Sequence, residues 1–167
     1  MPVVVKCSHL VTLCLRRQTV SAQFYSAVAN HLRLLQHLEL AECWGRYRSE
    51  NTADVFGTMC RKLTRLESLT MTEAPNCGML GYAPLLVTGM VQQVSMLPQL
   101  TNLTIHERYT GAVEAAEYGK IGACCNLCVL ELMYNRTNMT PLFRALCQRT
   151  TPLCSLELRE CDKLRQQ

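Results

Sequence analysis

Runs of like charge, a phosphate-binding glycine loop, an export signal and a membrane-length apolar stretch are all missing from this chain of 167 residues. No basic run exceeds the pairs Arg16-Arg17 and Arg61-Lys62, and the formal net charge is only +4, so composition gives little support to nucleic acid as the main partner. The start shows no charged segment, apolar block and small-residue cleavage site in succession, which argues against secretion. The eight glycines are scattered, and "GMLGYAP" lacks the Lys and Ser/Thr that a phosphate loop needs. No Asp or Glu precedes Glu39, whereas Lys6, Arg16, Arg17 and Arg33 do. That bias resembles a mitochondrial presequence, although the same residues read better as the first of a series of structural units. From Ala74 to His106 there is no Asp, Glu, Lys or Arg, but Pro75, Pro84, Pro98 and three glutamines interrupt the stretch. No membrane span is expected from it, and a buried or partner-covered segment is the reading adopted.

What the chain has in abundance is leucine at fixed intervals, within a composition that is 49% hydrophobic and 18% charged. The spacing L-x-x-L-x-L occurs at Leu10/Leu13/Leu15, Leu35/Leu38/Leu40, Leu66/Leu69/Met71, Leu100/Leu103/Ile105, Leu127/Leu130/Leu132 and Leu153/Leu156/Leu158. Steps between the middle leucines are 25, 31, 34, 27 and 26 residues, a period that signals stacked repeats. Residues at i and i+2 of a strand share a face, so each L-x-L reads as a short strand with its middle residue pointing the other way. Between the strands lie helical patterns. "SAQFYSAVANHLRLL" places Phe24, Val28, Leu32 and Leu35 on one face behind Ser21 as cap, and "NTADVFGTMCRKLTRL" does the same with Val55, Met59, Leu63 and Leu66. "LLVTGMVQQVSML", "EAAEYGKIGACC" and "MTPLFRALCQRT" take the equivalent places later. A strand-loop-helix unit cannot bury its apolar side alone, so the units are expected to stack into a parallel sheet backed by helices.

The segments "LQHLELAEC", "LESLTMTEA", "LTNLTIHER", "LCVLELMYN" and "LCSLELREC" resemble leucine-rich-repeat proteins, of the ribonuclease-inhibitor-like or cysteine-containing, F-box-associated subclasses. The resemblance runs from about Leu10 to Cys161 and implies an α/β horseshoe solenoid, its parallel sheet concave and its helices convex. Residues 1–167 then form a single domain of about six repeats without distinct capping modules, its ends covered by partners or continued in something larger. In the family, Asn or Cys commonly supports the turn out of the strand. Cys43, Asn135 and Cys161 match, while Gln18, Ala74 and Arg108 depart.

Chemistry-bearing clusters are sparse. Eleven cysteines, an odd number with no export signal, point to reduced thiols in an intracellular compartment, cytoplasmic or mitochondrial. Cys125-x-x-Cys128 has no second ligand pair and reads as packing rather than zinc binding; Cys43, Cys60, Cys147, Cys154 and Cys161 read as small hydrophobes at inward or turn positions. The three N-x-T triplets, at Asn102, Asn135 and Asn138, read as chance matches. Cys14 and His106 lie three strand steps apart, too far for a nucleophile and its base. No catalytic, cofactor or metal residue is therefore assigned, and the chain reads as a non-enzyme.

Outward strand positions hold seven of the thirteen acids. Glu39, Glu42, Glu73, His106, Glu107, Glu131, Tyr134, Glu157 and Arg159 are the expected partner-binding residues, with Glu39, Glu131 and Tyr134 foremost. Bases on the helices (Arg33, Arg61, Lys62, Lys120, Arg144, Arg149) would leave the strand face acidic, suited to a protein with a basic contact surface and not to nucleic acid. The expected function is a protein–protein interaction module. The alternatives are a structural or assembly subunit of a large complex, mitochondrial like the coupling factor B family of ATP synthase that the chain resembles in repeat architecture, and the substrate-reading part of a ubiquitin-ligase adaptor.

Overall fold

The computed structural model describes residues 7–45, 51–75, 83–108, 113–133 and 137–161. Alternating apolar positions do form strands: β1 Thr12–Arg16, β2 Thr19–Val20, β3 His37–Gly45, β4 Ser68–Glu73, β5 Asn102–His106, β6 Val129–Met133 and β7 Ser155–Arg159. They make one seven-stranded parallel sheet in the order β1-β3-β4-β5-β6-β7, with β2 paired to the far end of β3. Parallel neighbours need crossovers, and helices supply them. These are α1 Ala22–His31, α2 Thr52–Lys62, α3 Met90–Gln93, α4 Ala115–Lys120 and α5 Thr140–Cys147.

The pairing register is the leucine spacing made physical. Leu13, Leu38, Leu69, Leu103, Leu130 and Leu156 lie side by side, as do Leu15, Leu40, Met71, Ile105, Leu132 and Leu158. From β3 to β6 these two columns are buried, and with Phe24, Val28, Phe56, Met59, Val94, Tyr118, Ile121 and Leu142 from the helical side they form one apolar core. At the outer strands burial fades: Leu13, Leu15 and Leu158 are half-buried and Leu156 is exposed.

Helix positions follow the expected patterns with informative departures. Ser21 does precede α1, but its carbonyl, accepting from the Phe24 N–H at 2.9 Å, makes the turn, not its hydroxyl. In α2 the buried face is Phe56, Gly57, Met59 and Cys60, so Phe56 takes the core place expected of the half-buried Val55. The pattern over 85–97 shrinks to α3 and a 3-10 turn at Val94–Met96. Gly89 stops the helix on its N-terminal side: its φ of 91° is left-handed. The pattern over 114–125 likewise divides into α4 and a 3-10 turn at Ile121–Ala123. There Gly122 lies so close to Ala145 of α5 that any side chain would collide.

Candidate interaction face

Outward from the leucine columns run two polar ones. Cys14, Glu39, Thr70, Thr104, Glu131 and Glu157 form the first; the second runs Arg16–Ala41 on β1 and β3 and, past the register shift between β3 and β4, Thr72, His106, Met133 and Arg159. Hydrogen bonds run across strands between them. Arg16 Nη2 lies 3.2 Å from Glu39 Oε1, His106 Nε2 lies 3.3 Å from Glu131 Oε1, and the Thr104 hydroxyl donates to Glu131 Oε2 at 3.3 Å. Arg159 pairs with Glu157 on β7 itself. Beyond the second column Arg17 Nε donates to Glu42 Oε2 at 2.7 Å, and this bond, with the charge behind it, holds the Glu42 carboxyl below its ordinary range.

This pairing corrects the expected free acidic face. Glu39, Glu42 and Glu157 each lie against an arginine and Glu131 lies within hydrogen-bond distance of His106, so the surface is a mosaic of paired charge and not a free acidic face. Two further expected contact residues leave the surface altogether: Glu73 and Glu107 are 1% and 2% exposed. Tyr134 lies outside the described residues. The inward placement of the two glutamates has a backbone cause that follows from their place in the strand. Alternation continues past Met71 and Ile105, so Glu73 and Glu107 fall on the inward side with them.

Glu42 escapes this fate through a bulge. Its φ is 49°, the β3–β4 register shifts between Leu40 and Cys43, and Cys43 takes the inward place. Arg17 and Glu160, at the same step in β1 and β7, share the left-handed conformation with φ of 52° and 53°. In all three the next residue donates to the carbonyl two residues before it: Gln18 Nε2 to Arg16 at 3.2 Å, Cys43 Sγ to Ala41 at 3.4 Å, and Cys161 Sγ to Arg159 at 3.5 Å. Gln18 thus does the work expected of Asn or Cys. Ala74 has no side-chain donor, and inward rotation of Arg108 would bury a guanidinium, so β4 and β5 end without the bulge.

The inward glutamates are held by the elements behind them. Glu73 accepts from the Leu86 N–H at 3.1 Å and the Arg108 N–H at 2.9 Å. Glu107 Oε2 accepts from the Tyr118 hydroxyl at 2.8 Å, while its Oε1 and Glu117 Oε2 are buried without a hydrogen-bond partner. Glu117 meanwhile closes a capping box with Glu114 at the start of α4. Burial first, then the Glu73 and Glu117 carboxylates, push Glu107 up to about 7, against the lowering effects of Tyr118 and the Val113 backbone.

At the C-terminal ends of β1, β3, β4 and β5 the outer face opens into a recess of about 580 Å³, lined by Arg16, Arg17, Glu39, Ala41, Glu42, Thr72, Glu73, His106 and Arg108. It gathers four of the expected contact residues (Glu39, Glu42, Glu73, His106) and leaves Glu131, Glu157 and Arg159 further along the sheet. Arg17 and Arg108 were not among the expected site residues, although Arg17 and Glu42 stand at the same step of neighbouring units and could have been paired by reading the units in columns.

Elsewhere three further expectations are corrected. Cys128 and Cys154 are joined by a disulfide, their Cα atoms 5.0 Å apart, so this pair is neither reduced nor simply packed. They occupy the same step of adjacent units, immediately before β6 and β7, which brings them within bridging range. Cys147 and Cys154 are exposed, not inward, whereas Cys43, Cys60 and Cys161 are buried as expected. Arg149 is not a free surface base: its Nη2 donates to the Leu127 carbonyl at 2.7 Å. Among the described residues no helix is long and apolar enough to cross a membrane, and no group of three or more His, Cys, Asp or Glu is placed to hold a metal ion. No protein-family model matches the chain, and no curated protein matches it.

Proposed function

We propose that the chain is a leucine-rich-repeat solenoid acting as a non-enzymatic protein–protein interaction module, and that its partner lies on the outer face of the sheet. The observation that carries this reading is the in-register outward column from Cys14 to Glu157 crossing six strands, with the recess beside Arg17 and Arg108 opening next to it. At about 4.8 Å per strand and about 3.3 Å per residue, six five-residue strands offer roughly 24 by 16 Å. That is about half of what each side of a standard interface buries, so a stable partner must also reach the recess and its surrounding loops. Because the face is a mosaic, the partner is a protein carrying both signs of charge rather than a uniformly basic one. Exchange of the ion pairs from within the chain to across the interface then supplies orientation more than affinity.

Reversing Glu39 and Glu131 together to Lys tests the reading. Co-purifying chains are expected to be lost from an affinity purification while the thermal midpoint of the variant stays within a few degrees of the parent. Retention of the same chains at the same recovery contradicts it.

A second reading, a structural or assembly subunit of a larger complex, is favoured by the apolar surface at the outer strands. Val11 and Leu156 are both 42% exposed. Size-exclusion chromatography of the isolated chain separates the two: a monomer favours the free module, and self-association favours the obligate subunit.

A further inference from the structure

Among the described residues β7 is a weakly buried edge of the sheet, as β1 is at the other edge. None of the residues of β7 is buried, and α5, which precedes it, buries Leu142 alone. By contrast β6, one strand inward, has Leu130 and Leu132 fully covered. What fixes β7 besides its ladder is a cluster at the strand entrance. The Cys154 N–H donates to the Cys128 carbonyl at 2.8 Å, Arg149 and Thr151 donate to the carbonyls of Cys125 and Leu127, and the Cys128–Cys154 disulfide ties the two strands covalently across 26 residues.

That disulfide is also open to solvent, since Cys154 is exposed and Cys128 half-buried. Exposed bridges are the ones that thiols reach, whereas the buried thiol of Cys124 nearby, pushed up to about 11 mainly by burial, is a poor competitor for exchange. We propose that Cys128–Cys154 is a reversible redox site that clasps β7 to the sheet, and that thiol reductants of the glutathione or dithiol class open it. A reductant thiolate attacks one sulfur and forms a mixed disulfide, and the other cysteine leaves as a thiolate. A second reductant thiol then resolves the mixed disulfide. Two electrons and two protons pass to Cys128 and Cys154, and the reductant departs as its own disulfide.

Opening the bridge removes the restraint on a strand that has little apolar burial to replace it, so β7 frays while β3 to β6 stay formed. Glu157 and Arg159 ride on β7, and fraying would withdraw them from the outer face. The redox step itself does not depend on that face binding a partner.

Hydrogen exchange read by mass spectrometry on the full chain tests the site. The oxidised form is compared with the chain reduced by a dithiol and blocked by alkylation, after peptide mapping under non-reducing conditions has established which cysteines are bridged. Amides of Ser155–Arg159 are expected to exchange at least about tenfold faster in the reduced form, with those of β4 unchanged. A Cys128→Ser/Cys154→Ser variant is expected to match the reduced form whether or not dithiol is present. Equal β7 exchange in the oxidised and reduced parent chain overturns the clasp, and absence of the Cys128–Cys154 peptide pair after mild oxidation overturns the site. Both readouts use the parent chain and stand even if the double variant does not fold.

Discussion

Glu42 and Glu73 stand at the same step of successive strand units, two residues past the second strand apolar position, yet they end on opposite sides of the sheet. Glu42 is turned out by a left-handed residue and meets Arg17 in solvent; Glu73 continues the alternation and satisfies two backbone N–H groups inside. Glu107 repeats the inward choice, Arg17 and Glu160 the outward one. The deciding residue is the next one along. An uncharged side chain that can donate to the carbonyl two residues back, Gln or Cys here, supports the bulge; where Ala or Arg follows, the glutamate goes in. One residue type at one repeat position thus does two jobs, surface charge or internal strut, according to its neighbour.

The largest expected effect is at the strut. Glu73→Ala leaves the buried Leu86 N–H without this acceptor, at a cost of about 1–3 kcal/mol, and takes a second acceptor from the part-buried Arg108 N–H, which water can reach more easily. A total loss of about 2–4 kcal/mol is expected in urea unfolding, against a much smaller change for Glu42→Ala, whose ion pair is solvent-exposed on both sides. Equal losses at the two positions would erase the distinction.

Next comes the pH dependence of the second inward glutamate. Glu107 binds its proton up to about pH 7 in the folded chain, whereas an unfolded glutamate releases it near about 4.3. Between those values the folded state holds more protons than the unfolded one, so this group's contribution falls as pH rises from about 4.3 to about 7 and levels off above. Glu107→Gln keeps an acceptor for the Tyr118 hydroxyl and cannot ionise. It is expected to be more stable than the parent at pH 8 by about 2–3 kcal/mol, the advantage shrinking toward pH 5. A constant difference across that range would show that Glu107 does not titrate with folding.

The smallest effect sharpens the outward side. Glycine accepts a φ of 49° that a glutamate adopts at a cost, so Glu42→Gly is expected to be neutral or slightly stabilising, despite its greater unfolded-state freedom. Glu73→Gly, where φ is not left-handed, is expected to destabilise at least as much as Glu73→Ala. Thermal midpoints of the two glycine variants provide the check.

The sheet was legible in the sequence because its signal is a spacing. Two apolar residues at i and i+2, recurring every 25 to 34 residues, leave little freedom in how the strands align, and the register of Leu38, Leu69, Leu103 and Leu130 follows. The helices were less legible where several apolar residues cluster. In "ADVFGTMC" both Val55 and Phe56 fit a helical face, and packing selects the larger ring. Of the site, the outward columns were readable, but the ends of the strands were not. L-x-L carries no information on whether a bulge follows, so it does not tell the inward Glu73 and Glu107 from the outward Glu42; the identity of the next residue, Ala or Arg against Cys, carries that information. The disulfide has its signal in the same columns, since the 26-residue separation of Cys128 and Cys154 equals the step from Leu130 to Leu156. Charge pairing is not legible within one strand, because Arg16 and Arg17 belong to the unit before the acids they pair with.

The central claim is that the outer face of the sheet receives the partner, and site-specific photo-crosslinking tests it most directly. A photoreactive side chain at Thr70, in the middle of the outward column, is compared with one at the exposed Gln23 of α1 on the helical side. The account predicts a crosslinked partner polypeptide from position 70 and none from position 23. Crosslinking from position 23 with none from position 70 would contradict it.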